Sequence, residues 1–184
     1  MITIISGTNR PGSQTRKVVA HIEATYKSRG VKTHLLDLAE LPAEMFSPFA
    51  YAEKPVAFKK FSDAILAADG LVIVTPEYNG GFPGVLKYFI DMLPFPESFE
   101  HRPVCFVGLA AGIWGALRPV EQLQTIFGYR NAHIFPERVF MPGIGKLLNE
   151  AAQFTNPDIE KRLGNQAEGF VRFVESLRGK KLRP

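Results

Sequence analysis

The run Leu71-Val72-Ile73-Val74, ahead of Thr75, constrains this 184-residue chain more than any other feature. A strand with one wet face alternates apolar and polar residues. A short run without polar members has to be covered on both faces, which suits a parallel sheet packed between helices. The rest of the chain supplies matching parts. Residues 2–6 and 31–36 read as strands on either side of a helix that starts from Ser13, carries Val18, Val19, Ile22 and Tyr26 on one face, and stops at Gly30. Further helices are expected at about 56–69, 84–92, 116–127 and 158–178. Further strands are expected at 104–109 and 131–140, the last with an interruption at Pro136. Residues 37–55 carry three prolines and little periodicity, and a loop of that length is expected to cover a site or a partner surface.

Strands alternating with helices indicate a doubly wound α/β sheet. No internal repeat, low-complexity tract or boundary interrupts the pattern, so residues 1–184 read as one domain. Ligands of such sheets bind beyond the carboxyl ends of the strands, near the point where strand order reverses. Three glycine-containing strand-to-helix turns lie there, at 7–15, 76–83 and 109–116.

The first turn, Gly7-Thr8-Asn9-Arg10-Pro11-Gly12-Ser13-Gln14-Thr15, combines a helix N-terminus with hydroxyls and a guanidinium. Free first-turn amides and the positive end of the helix dipole suit an anion such as a phosphate ester. The same residues also describe a solvated turn with Ser13 serving only as N-cap. Gly7 and Gly12 have the spacing of a nucleotide-hydrolase phosphate loop, but Ser13 stands where its lysine belongs. The G-x-G-x-x-G dinucleotide fingerprint is absent after the first strand, which disfavours direct dinucleotide binding there.

The second turn reads Pro76-Glu77-Tyr78-Asn79, followed by Gly80, Gly81 and the helix start Pro83-Gly84-Val85-Leu86-Lys87. With these residues the chain resembles the NADPH-dependent FMN reductase family of flavodoxin-like proteins, which carries P-E-Y-N and P-G-x-L-K at this place. The first turn resembles the family pattern G-S-x-R-x-x-S-x-N, with threonines at 8 and 15 as conservative departures. The third is less similar to S-x-G-x-x-G-G-x-R: Ala110 lacks a hydroxyl, Ala116 adds a methyl and Trp114 adds bulk, while Gly112, Gly115 and Arg118 agree.

The resemblance, spread over roughly residues 1–140, implies a three-layer fold with a five-stranded parallel sheet in the order 2-1-3-4-5. It also implies non-covalently bound FMN, NAD(P)H as electron donor and a small-molecule acceptor: a flavin, quinone, azo compound or metal oxyanion. Thr8, Arg10, Ser13 and Thr15 would hold the phosphate. Pro76, Tyr78, Asn79 and Gly80 would line the ring, and Gly112, Ile113, Trp114 and Gly115 would approach it from the third turn. Glu77 is placed either against the flavin or at a subunit contact, and Trp114 either beside the flavin or as an interface or lid aromatic. Phe46, Phe49 and Tyr51 either cap a neighbouring subunit's flavin or pack on their own core. A homodimer or homotetramer is implied. Hydride transfer through a flavin requires no protein acid or base, so no catalytic residue is assigned. A flavodoxin-like electron carrier and a flavin-free binding protein share the fold. Carriers of that kind tend to be acidic, and this chain has a net charge of +4.

Composition bounds the rest. The only cysteine, Cys105, excludes an internal disulfide and a cysteine-rich metal site, and its apolar strand marks it as a buried, inert thiol. His21, His34, His101 and His133 lack metal-ligand spacing. No apolar run spans a membrane and no leader is read at the start, so the cytoplasm is the expected compartment. Arg178, Lys180, Lys181 and Arg183 read as a solvated helix end, without the interleaved aromatics that nucleic-acid binding would call for.

Overall fold

A computed structural model describes residues 1–178. Five strands, β1 (Ile2–Ser6), β2 (Thr33–Asp37), β3 (Gly70–Pro76), β4 (Pro103–Ala110) and β5 (His133–Pro142), form one parallel sheet in the order β2-β1-β3-β4-β5. The fold expected from the sequence is therefore observed, and β3 sits at the centre with every residue buried. Successive side chains of a strand point to opposite faces. Ile5, Leu71, Ile73, Val104 and Phe106 accordingly meet α2 (Lys59–Leu66), α3 (Gly84–Met92) and α4 (Leu117–Tyr129) on one face. Ile4, Val72, Val74, Cys105 and Val107 meet α1 (Gln14–Lys27) and α5 (Pro157–Leu177) on the other. Cys105 is fully buried among them, beside Tyr26, and burial pushes its thiol well above the usual range.

Three local readings are corrected. Helix α1 ends at Lys27, and Gly30 lies beyond it in a left-handed turn whose N–H reaches the Lys27 carbonyl. The helix read at 56–69 is shorter, because Val56–Phe58 forms a separate 3-10 turn before α2. Residues 37–55 are a chain of short 3-10 turns that bury Leu38, Met45 and Ala50, while Phe46, Phe49 and Tyr51 stay exposed. Phe46 stacks on Tyr88 and Tyr51 meets it edge-on.

The interruption expected at Pro136 is a bulge, and β5 continues past it. From Val104 to Phe106 on β4, the partners on β5 advance from Ile134 to Arg138. The extra backbone is satisfied by buried Gln166 of α5, whose side-chain amide donates to the carbonyls of Phe106 at 3.0 Å and Glu137 at 2.9 Å. Just before β3, Asp69 pairs with Arg178 at 2.7 Å. Lys180, Lys181 and Arg183 lie outside the described residues.

Candidate functional site

A cavity of about 390 Å³ opens at the carboxyl ends of β1, β3 and β4. Strand order reverses there, since α1 after β1 and α3 after β3 leave toward opposite faces, and this is where a doubly wound sheet offers loops to a ligand. Its wall contains Arg10, Ser13, Thr15, Pro76, Glu77 and Tyr78 from the residues expected of the site. Pro11, Gly12, Gln14, Leu109, Ala110, Ala111 and Ile144 complete it.

The first loop is pinned at its root. Gly7 donates to the Val74 carbonyl at 2.8 Å, and a Cβ on Gly7 would sit 2.7 Å from that same oxygen. Only glycine lets the loop leave β1 so close to β3. The Ser13 hydroxyl then caps α1 by accepting the Arg16 N–H at 3.2 Å. Its own proton remains free to donate into the cavity, beside first-turn amides that have no intrahelical partner. Arg16 turns away to Asp37 at 3.2 Å, whereas Arg10 stays at the cavity wall. The side-chain oxygen of Gln14 is buried without a hydrogen-bond partner, the kind of orphan a polar ligand satisfies.

Thr8 lies behind this wall. Its hydroxyl oxygen accepts the Arg10 N–H at 3.2 Å and is 2.8 Å from the Tyr78 hydroxyl, so it ties the first loop to the second. In the second loop, Tyr78 and Gly81 exchange both backbone hydrogen bonds, at 2.8 and 3.0 Å. Asn79 and Gly80 form the tip between them with φ of 51° and 78°, the two-residue turn for which an Asn-Gly pair is suited. Both tip residues are beside the cavity wall in sequence but outside its lining.

Glu77 bridges to the third loop. Its backbone N–H donates to the Leu109 carbonyl at 3.1 Å, and its carboxylate accepts the Ala116 N–H at 3.2 Å. The other carboxylate oxygen is 3.8 Å from the Arg118 guanidinium, which lies 5.3 Å from the Trp114 ring. Gly112, Ile113, Trp114 and Gly115 stand outside the cavity lining, with Ile113 and Trp114 exposed at the surface. Ala110 and Ala111, just before them, form the wall instead. Ile144 arrives from beyond β5; the left-handed Gly143, whose N–H donates to the Gly112 carbonyl at 3.2 Å, brings it in.

The lining suits FMN: amides, hydroxyls and a guanidinium at one end for a phosphate, and backbone with apolar side chains at the other for a ring system. Among the described residues no group of three or more His, Cys, Asp or Glu side chains is placed to hold a metal ion. No helix among them is long and apolar enough to cross a membrane.

Comparison with known proteins agrees with the geometry. Residues 1–146 match the family model of NADPH-dependent FMN reductase. An NADPH azoreductase of Bacillus sp. (strain OY1-2) is 28% identical over 165 residues, covering 88% of this chain and 89% of its own length. An NAD(P)H-dependent FMN reductase of Pseudomonas aeruginosa is 26% identical over 179 residues, covering 95% of both. Among solved structures, the flavoenzyme NAD(P)H:(acceptor) oxidoreductase of Paracoccus denitrificans superimposes with a TM-score of 0.80 at 22% identity, covering 95% of this chain and 97% of the other.

Proposed function

The chain belongs to the NADPH-dependent FMN reductase family, and on that premise we propose that its phosphate-ready cavity holds FMN and serves electron transfer from NAD(P)H to small acceptors. FMN, when bound, would supply the redox chemistry, and the protein's part is to hold, orient and shield it. The observation that carries the reading is the start of α1. There the Ser13 hydroxyl, the first-turn amides, Thr15 and the Arg10 charge surround one end of the cavity. These groups would take the phosphate without a metal. Gln14 would satisfy its orphan oxygen on a hydroxyl or N–H of the cofactor. Pro76, Glu77 and Tyr78 would present backbone edges to the ring, with Asn79 and Gly80 at the rim. Gly112, Ile113, Trp114 and Gly115 would frame the outer side, where donor and acceptor must enter in turn.

An azo compound, a quinone or a free flavin would suit as acceptor, since each is flat and the mouth is flanked by the exposed Trp114 and Ile113. The whole chain would act as one domain in the cytoplasm. The exposed aromatics Phe46, Phe49 and Tyr51 support a homodimer or homotetramer. Comparing FMN with riboflavin tests the phosphate assignment. Arg10→Ala is expected to weaken FMN about tenfold, the scale of one charge-assisted contact, and to leave riboflavin unchanged. Equal losses for both ligands would place the phosphate elsewhere. Bleaching of the bound flavin by anaerobic NADPH, followed by reoxidation with an azo dye or quinone, would test the acceptor.

A further inference from the structure

The start of α4 lacks the means to hold its own shape. Ala116 occupies the N-cap position with φ 70° and ψ 29° and offers no side-chain cap. Left-handed backbone crowds an alanine Cβ, so this conformation persists only when surrounding contacts enforce it. Two of those contacts lie on the far side of the loop. The Gly112 carbonyl is tied to Gly143, and Gly115 is pressed so closely on Pro142 that a Cβ there would come within 2.8 Å of its nitrogen. On the α4 side, the Ala116 N–H is held by Glu77.

We propose that Glu77 is a positioning residue for the flavin: its carboxylate caps α4 from a neighbouring loop and holds residues 111–118 in the shape that receives the cofactor. The proposal rests on the flavin reading of the cavity. Glu77 is suited to the task because it is itself fixed. Its backbone is bonded to β4, and its side chain is only 14% exposed. An anion at a helix N-terminus is favoured by the dipole. The second carboxylate oxygen faces Arg118, which in turn lies over Trp114, so one side chain orders the loop's backbone and its exposed aromatic together.

Glu77→Ala, Glu77→Gln, Ala116→Gly and the Glu77→Ala/Ala116→Gly pair separate positioning from direct contact. Two measurements are taken on each: the FMN dissociation constant by quenching of flavin fluorescence, and amide hydrogen exchange across 111–118 in flavin-free protein. Glu77→Ala should weaken FMN about tenfold and speed exchange in the loop. Ala116→Gly alone should change affinity less than about twofold, because the competent shape is already the populated one. In the pair, glycine reaches the left-handed region without a Cβ penalty and should recover much of the loss. Glu77→Gln keeps an acceptor for the Ala116 N–H and should fall between wild type and Glu77→Ala. Unchanged loop exchange in Glu77→Ala, or strictly additive affinity losses with no recovery, would overturn the proposal. Should wild-type protein fail to bind FMN, the flavin reading falls, and loop exchange in the flavin-free variants still decides the role of Glu77.

Discussion

Helices α1 and α4 both follow a parallel strand and a glycine-bearing turn, yet they begin by opposite means. The start of α1 is self-sufficient: Ser13 has extended backbone (φ −63°, ψ 149°) and its own hydroxyl caps the helix. The start of α4 is borrowed: Ala116 is left-handed, capless, and held by a carboxylate from another loop. A self-capped start leaves its amides and a hydroxyl proton available to a ligand. A borrowed start spends its first amide on another part of the protein, so it frames the cavity without binding an anion. Two turns of the same topology can thus start a helix in different ways, one from its own side chain and the other from a neighbouring loop.

The largest effects are expected at two glycines packed against backbone, Gly7 at the root of the first turn and Gly108 within β4 beneath the third. Gly7→Ala would set a methyl 2.7 Å from the Val74 carbonyl, and Gly108→Ala would set one 2.8 Å from the Gly115 carbonyl. Both obstacles are backbone, so each substitution should cost about 3 kcal/mol, a fall of roughly 9 °C in melting temperature. Their ligand signatures should differ. Gly7→Ala should erode the preference for FMN over riboflavin, whereas Gly108→Ala should weaken both alike. A shared signature would break the division of labour. Next comes Ser13→Ala, expected to cost about 1 kcal/mol as a lost N-cap and to lower FMN affinity more than riboflavin affinity. Tyr78→Phe, which removes the hydroxyl joined to Thr8, should cost about 0.5–1 kcal/mol in thermal unfolding, because it loosens the first loop from the second. Smallest is Arg118→Lys. Its ion pair is long and its side chain exposed, so stability should change by less than about 0.5 kcal/mol. Trp114 fluorescence should nevertheless shift as the guanidinium leaves the ring.

The same contrast explains what could be read in advance. Ser13 announces its helix locally: a hydroxyl residue stands immediately before an apolar-periodic stretch, so both α1 and the hydroxyl that caps it were legible. The apolar run of β3 and the Asn79-Gly80 turn are equally local signals. The link from Glu77 to Ala116 joins positions far apart in the chain, and no spacing rule reports it. Ile144 reaches the cavity only because β5 ends beside β4. The turns at 37–55 bury Leu38, Met45 and Ala50 without any repeat, because 3-10 pieces of three or four residues are too short to show a period. Pro136 did signal an irregularity in β5. Its remedy, Gln166, is encoded some thirty residues later as one polar position on the buried side of α5.

That remedy has a consequence for how the family can vary. Two carbonyls beside the bulge are closed by a single amide, so bulge and glutamine form one structural unit. Deleting the extra residues alone would bury an idle amide. Replacing Gln166 with leucine alone would strand two carbonyl oxygens in the core. Either single step passes through a damaged intermediate. Descendants of this sheet should therefore keep both features or lose both, and an alignment should show the length of β5 and the residue at position 166 changing in concert.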